Sequence, residues 1–199
     1  MPQITKNKPR KRTDNIDPWK KQSRGLKFSN LNDMRKFYDY SNIRKAFPWA
    51  QIIRAGFICL HKQSQDVDAK VLLVQQKATQ FMSRGQKITK PPRYGPPKGI
   101  ADNKDISAID TALRELFEET SVVPDNIQPA ALIVRRPELH ELMIYYVAVF
   151  ETPPDVSICL KELTDYKWFD VSSVYYEVGK DATTPTKCVL MMLNHLNYT

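Results

Sequence analysis

Glu115, Glu118 and Glu119 fall within five residues near the end of a segment, 105–120, that reads as a helix. At about 100° per residue the three carboxylates share one sector. Ile109, Leu113, Leu116 and Phe117 fall opposite, so one face is expected to pack and the other to present acid. Like charges at i,i+4 repel, and acids near a helix C-terminus oppose the macrodipole. Two readings fit: a solvated acidic face, or a platform of hard oxygen donors for a divalent cation such as Mg2+ or Mn2+. Arg114, four residues before Glu118, is placed to orient one carboxylate.

Several elements must position that helix. "QIIRAGFICLHK" (51–62) and "KVLLVQQK" (70–77) read as strands joined by a polar turn, and "AALIVRR" (130–136), "LMIYYVAVF" (142–150) and "DYKWFDV" (165–171) read as three more. Asp105 is the expected N-cap of the acidic helix. A C-terminal helix is expected over 186–197, with Met191 and Met192 as core filler. Strands with two well-separated helices predict a mixed sheet sandwiched between helices. The segment 77–98, "KATQFMSRGQKITKPPRYGPPK", holds six cations (Lys77, Arg84, Lys87, Lys90, Arg93, Lys98) and no acid. Its Pro and Gly content reads as a functional loop that could clamp a polyphosphate, with Tyr94 or Phe81 stacking on a base.

At 199 residues and 23.0 kDa the chain fits one domain plus an extension, and 42% hydrophobic residues exclude global disorder. No apolar run approaches the roughly 20 residues of a membrane helix, and the start of the chain has no apolar signal-type region. Cys59, Cys159 and Cys188 are scattered among apolar residues and read as reduced, buried thiols of an intracellular protein. His61, His140 and His195 are too scattered to read as ligands. Residues 1–28 carry nine Lys/Arg against two Asp, nearly the whole net charge of +8. Such an arm is either a solvated tail or a contact for a polyanion, nucleic acid first. "KPRKR" (8–12) also resembles a nuclear-import patch, although a cytoplasmic location is the expectation. In 29–49, one or two short helices interleave Phe37, Tyr38, Tyr40, Phe47 and Trp49 with Arg35, Lys36, Arg44 and Lys45. These aromatics either stack bases of a nucleic acid or anchor the extension to the domain.

The order "Lys98-Gly99 … Arg114-Glu115-Leu116-Phe117-Glu118-Glu119-Thr120" resembles the Nudix box, with its "REL-x-EE" core as the specific part. The resemblance covers roughly 50–199 and implies an α/β/α sandwich that hydrolyses a nucleoside diphosphate linked to another group, assisted by divalent metal. By position it implies that Glu118 and Glu119 ligate the metal, helped by Glu115 and the Lys98 carbonyl. Glu115 also matches a position often assigned as base, and Arg114 would hold the acidic face in place. Two departures stand out: Ile106 occupies the register of the first box Glu, counted back from Arg114, and Ser121 replaces the box Gly. Asp105 next to Ile106 either takes the Glu's place or serves only as the cap, and the cap is the expectation.

A second stretch, "LKELTDYKWFDVSSV" (160–174), is similar to a segment of mRNA-decapping Nudix enzymes in which a Glu before a Trp-Phe strand assists the metal or acts as base. The matching residue is Glu162, with Trp168 and Phe169 in the core. The resemblance thus implies removal of the 5′ cap of RNA, while charge and aromatic character suggest RNA contacts through the basic N-terminal region and substrate contacts at Lys77, Arg84, Arg93, Tyr94 and Trp49. Compact decapping enzymes of large DNA viruses also join a Nudix core to an RNA-binding extension. The organisation expected is a basic arm over 1–28, an aromatic/basic extension over 29–49 and a Nudix domain over 50–199. Two rivals remain: hydrolysis of free dinucleoside polyphosphates, nucleoside triphosphates or inositol pyrophosphates, and a non-catalytic RNA-binding protein with a degenerate core.

Overall fold

The computed structural model describes residues 30–62, 69–83, 85–179 and 182–195. The basic arm over 1–28 and Arg84 lie outside the described residues, as do the side chains of Phe81 and His195. Two short helices open the chain, α1 (Leu31–Phe37) and α2 (Tyr40–Ala46). Strands β1 (Ile52–His61), β2 (Lys70–Gln76), β3 (Thr79–Ser83), β4 (Gln86–Lys90), β5 (Arg93–Gly95) and β6 (Lys98–Ile100) follow. Helix α3 (Ala108–Thr120) leads to β7 (Ile127–Arg136), a short 3-10 turn, β8 (Glu141–Phe150) and β9 (Leu163–Asp170). Helices α4 (Val174–Val178) and α5 (Thr184–His195) complete the described elements.

The main sheet runs β5-β2-β1-β8-β7, with β6 added to β1 and β9 to β2. β1 and β8 pair in parallel over their full lengths, while the other pairings are antiparallel, so the sheet is mixed. β1 and β8 are buried almost throughout, as a strand covered on both faces must be, and alternation sorts their side chains between two cores. Ile53, Ala55, Phe57 and Cys59 face a core shared with α1, α2 and α3, whereas Ile58 and Leu60 face one shared with α4 and α5. The result is the expected α/β/α sandwich. No described helix is long and apolar enough to cross a membrane.

The segment 29–49 joins the first core rather than standing apart from it. Met34, Tyr38, Ile43 and Phe47 are buried there, with Phe37, Tyr40 and Trp49 packed partly against them. Trp49 lies edge-on to Phe47, and Tyr38 edge-on to Tyr146 of β8. The aromatics therefore anchor the extension, and Trp49 packs partly against them.

Segment 77–98 also differs from the loop expected of it. It contains β3 and β4, paired from Thr79↔Lys90 to Ser83↔Gln86 as a separate two-stranded sheet. All five residues of β4 are exposed, so no apolar alternation exists from which to read a strand. Gly85, with φ 78°, supplies the left-handed residue that its tight turn needs.

Candidate active site

Helix α3 begins three residues later than expected. Ser107, not Asp105, is its N-cap: the Ser107 hydroxyl accepts from the Asp110 N–H and donates to the Asp110 carboxylate. Ala108, Ile109, Ala112 and Leu116 form the buried stripe, while Leu113 is only partly covered and Phe117 is 56% exposed. Phe117 therefore does not belong to the packing face assigned to it.

Freed from capping, Asp105 pairs with Arg114. Its Oδ2 lies 2.9 Å from Arg114 Nη2 and its Oδ1 3.3 Å from Nε, a two-pronged contact. It also accepts from the Thr111 hydroxyl at 2.7 Å and the Asp102 N–H at 2.9 Å. Burial alone would raise Asp105, but the hydrogen bonds from Arg114, Asp102 and Thr111 outweigh it and hold its pKa below the ordinary carboxylate value. Arg114 spends its remaining donors on Glu115 Oε1 (2.8 Å), Glu118 Oε2 (2.9 Å) and the Ile100 carbonyl (3.0 Å). Asp105 thus sets a carboxylate against Arg114 beside the Ile106 position. Ile106 itself is 74% exposed. Behind Thr111 the chain of hydroxyls continues to Tyr40 of α2, 2.5 Å away. Burial keeps that phenol protonated, its pKa pushed up to about 12.

Glycine is required beneath Glu115. A Cβ on Gly99 would collide with the Glu115 carboxyl group, so the carboxylate rests directly on the β6 backbone. Burial raises the Glu115 pKa. Glu119 is buried, 4% exposed, and its Oε2 accepts from the Lys98 N–H at 3.0 Å. Burial pushes its pKa up to about 7 against the favourable effects of Lys98. Lys98 and Gly56 form a register pair flanked by the bonds Phe57 N–H to Pro97 O and Ala101 N–H to Ile53 O. In an antiparallel ladder such a pair is not mutually bonded, so the Lys98 N–H and C=O both turn away from β1, toward Glu119.

The residues present suit a hard divalent cation. Glu115, Glu118 and Glu119 are each fixed through one oxygen, and the second oxygen of each takes no hydrogen bond among the described residues. In the present rotamers no group of three His, Cys, Asp or Glu converges closely enough to hold an ion among the described residues. The donors are adjacent but tied to Arg114 and the Lys98 backbone.

The C-terminus of α3 is closed by the strap before β9. The Cys159 N–H donates to the Glu119 carbonyl and the Ser157 N–H to that of Thr120, satisfying carbonyls that a helix end leaves open. Ser121 takes the left-handed conformation, φ 59°, where the family pattern has Gly. The strap carries the exposed Glu162 to the start of β9, where its carbonyl accepts from the Lys77 N–H at 3.1 Å. The charge of Glu162 is felt at both Glu115 and Glu119. In β9, Phe169 is buried and Trp168 packs partly on the core, as expected.

Lys77 lines a cavity of about 400 Å³ whose walls also include Arg54, Lys90, Arg93 and Arg136. Arg54 and Arg136 share Glu141, at 2.7 and 3.1 Å. Thr183, Thr184 and Pro185 bring the N-terminus of α5 to the same cavity, adding partial positive charge. Among the described residues no aromatic side chain lines it. Lys77 and Arg93 stand where phosphate contacts were expected; Arg54 and Arg136 were missed, because nothing in a strand's sequence says which end reaches a cleft. Tyr94, expected to stack on a base, is held against β9. Its ring packs edge-on against Phe169 and its hydroxyl donates to Asp165. Of the three free cysteines, Cys59 is buried, with its thiol pKa raised by burial, while Cys159 and Cys188 are half-buried.

A sequence model of the NUDIX domain matches residues 53–188, from β1 into the first turn of α5. The chain belongs to the Nudix family. Nudix hydrolases act on phosphoric anhydrides and typically use divalent metals such as Mg2+ or Mn2+. The search of curated proteins finds no match. Among solved structures, the Caenorhabditis elegans Ap4A hydrolase binary complex is similar at 18% identity and TM-score 0.53, over 72% of this chain and 96% of that one. The NUDIX domain of Shewanella oneidensis NrtR, complexed with ADP ribose, is similar at 22% identity and TM-score 0.55, over 83% and 97%. A bifunctional NMN adenylyltransferase/ADP ribose pyrophosphatase of Francisella tularensis, complexed with AMP and a Mn ion, gives 15% identity and TM-score 0.56, over 82% of this chain and 46% of that one. At these identities the likeness is one of fold.

Proposed function

We propose that the protein is a divalent-metal-dependent pyrophosphohydrolase that removes the 5′ cap of RNA by cleaving within the polyphosphate bridge. The observation that carries this is the position of Glu162, on a strap bonded at one end to the acidic helix and at the other to Lys77 on the cavity wall. Glu118, Glu119 and the Lys98 carbonyl would hold the metal, with Glu115 in support. When bound, Mg2+ or Mn2+ neutralises phosphate oxygens and lowers the pKa of water. Arg114 keeps Glu115 and Glu118 in place, and the Asp105 contact keeps Arg114 in place. The cations of the cavity hold the bridge in reach, which converts charge into orientation. Glu162 takes the proton as water oxygen bonds to phosphorus, while the phosphorus–oxygen bond of the anhydride breaks and the phosphate departs.

A second reading is favoured by the cavity itself. Five cations, with no aromatic side chain among the described residues of the wall, suit a phosphate-dense small molecule as well as a cap, so free dinucleoside polyphosphates or inositol pyrophosphates come next. The test is turnover, with Mn2+ or Mg2+, of capped RNA, free cap dinucleotide and diadenosine tetraphosphate by wild type and Glu162→Gln. Faster release of capped nucleotide from RNA than turnover of either dinucleotide, lost in Glu162→Gln, is the expected result. Equal or faster turnover of the free dinucleotides rejects the cap reading and leaves the second.

A further inference from the structure

The β3–β4 hairpin has no structural duty that its composition explains. It is bonded to no other described strand, and isolated two-stranded ribbons are marginal in water. Every residue of β4 is exposed, as is Met82 of β3 at 67%. The surrounding segment 77–98 contains no acid, so it is a cationic ribbon rather than a mixed solvated surface. At its base, the paired residues Thr79 and Lys90 line the cationic cavity, so the ribbon extends that cavity's wall.

Alternation divides β4 into two unlike faces. Gln86, Ile88 and Lys90 share the face that continues the cavity wall; Lys87 and Thr89 share the other. The first face offers an amide, an apolar surface and an ammonium in series. A phosphate chain alone would need only the cation. The apolar Ile88, 40% exposed between Gln86 and Lys90, fits a polyanion that also carries flat, weakly polar groups.

We infer that the Gln86–Ile88–Lys90 face of the hairpin is the contact surface for the single-stranded RNA adjoining the cap. This rests on the cap-hydrolysis reading above. The RNA strand lies along the ribbon, its phosphates near Lys90 and a base against Ile88. Charge brings it there and the apolar contact makes the two faces unequal.

Two variants of the full-length protein separate face from charge. Gln86→Glu with Ile88→Glu alters the proposed face, and Lys87→Glu alters the opposite one, with the same total change of charge. Binding of a labelled, capped single-stranded RNA is measured in metal-free buffer by fluorescence anisotropy, with melting temperatures as the check on folding. The double variant is expected to bind about tenfold more weakly, and Lys87→Glu no more than about threefold. Equal losses would mean charge alone and overturn the inference, as would an unchanged double variant. Equally tight binding of a blunt RNA duplex by the wild type would also overturn it. Failure of the wild type to hydrolyse capped RNA defeats the functional reading instead, and the binding comparison still decides the hairpin.

Discussion

The acidic face of α3 and the cationic cavity are built in opposite ways. Around the acids nearly every group is tied down: Arg114 contacts Asp105, Glu115, Glu118 and the Ile100 carbonyl, and Glu119 is held by the Lys98 N–H. The cavity instead gathers like charges, with Glu141 as the anion between Arg54 and Arg136. Lys98 joins the two regions. Its backbone turns to Glu119, while a Cβ on Gly95 would sit 3.5 Å from its ammonium and 3.0 Å from Thr186 Oγ1, on the α5 side. Burial keeps that ammonium's pKa below the ordinary lysine value. The contrast separates two tasks. Chemistry needs groups fixed before substrate arrives, and substrate capture needs charge that the substrate itself completes.

The sharpest way to break the fixed region without unfolding it is Gly99→Ala. The atoms a methyl would strike are the far end of the Glu115 side chain, so the carboxylate moves while the fold tolerates the change. Turnover should fall about 100-fold, as expected for an ångström-scale misplacement, with little shift in melting temperature. A large loss of stability would show that Glu115 is part of the packing.

The cavity should respond differently. Arg93→Ala removes a charge that ground state and transition state use alike, so KM should rise about tenfold with kcat within about twofold. Steady-state kinetics on the preferred substrate would decide this. A fall in kcat at constant KM would move Arg93 into the reacting site and erase the contrast.

Smaller effects are expected from the supports. Thr111→Val removes a donor to Asp105 and cuts the link to Tyr40, so kcat should drop about fivefold, the equivalent of about 1 kcal/mol. Thr111→Ser should restore most of it, whereas equal losses in both variants would indicate packing alone. Ser121→Gly should stabilise the fold by about 1 kcal/mol, raising the melting temperature by roughly 2–4 °C, because φ 59° penalises a side chain. No gain on thermal unfolding would mean that the Ser121 hydroxyl, 3.4 Å from the Ser157 carbonyl, offsets the strain.

What the sequence made legible follows from which signals are local. The strands at 52–61, 70–76 and 141–150 are apolar runs that declare themselves, and the "REL-x-EE" order marks the acids on one helix. Asp105 was misassigned because an N-cap and an arginine partner share one requirement, a short carboxylate just before a helix. Only the position of Ser107 separates them. The hairpin was hidden because every residue of β4 is exposed, and period-two patterning exists only where one face is covered. Arg54 and Arg136 join the cavity through sheet register and the loop before α5, contacts distant in sequence.

The central claim is that the acidic face of α3 holds a divalent cation, and titration with Mn2+ followed by electron paramagnetic resonance tests it most directly. The pKa of Glu119, raised to about 7, means that its proton is held at pH 6 and released by pH 8. Wild-type affinity should therefore rise about tenfold between those values, because the cation must displace that proton at the lower pH. Glu119→Gln should bind at least tenfold more weakly at pH 8 and lose the pH dependence, and Glu118→Gln should also weaken binding. Mn2+ affinity that is equal in wild type and both variants, at either pH, would contradict the account.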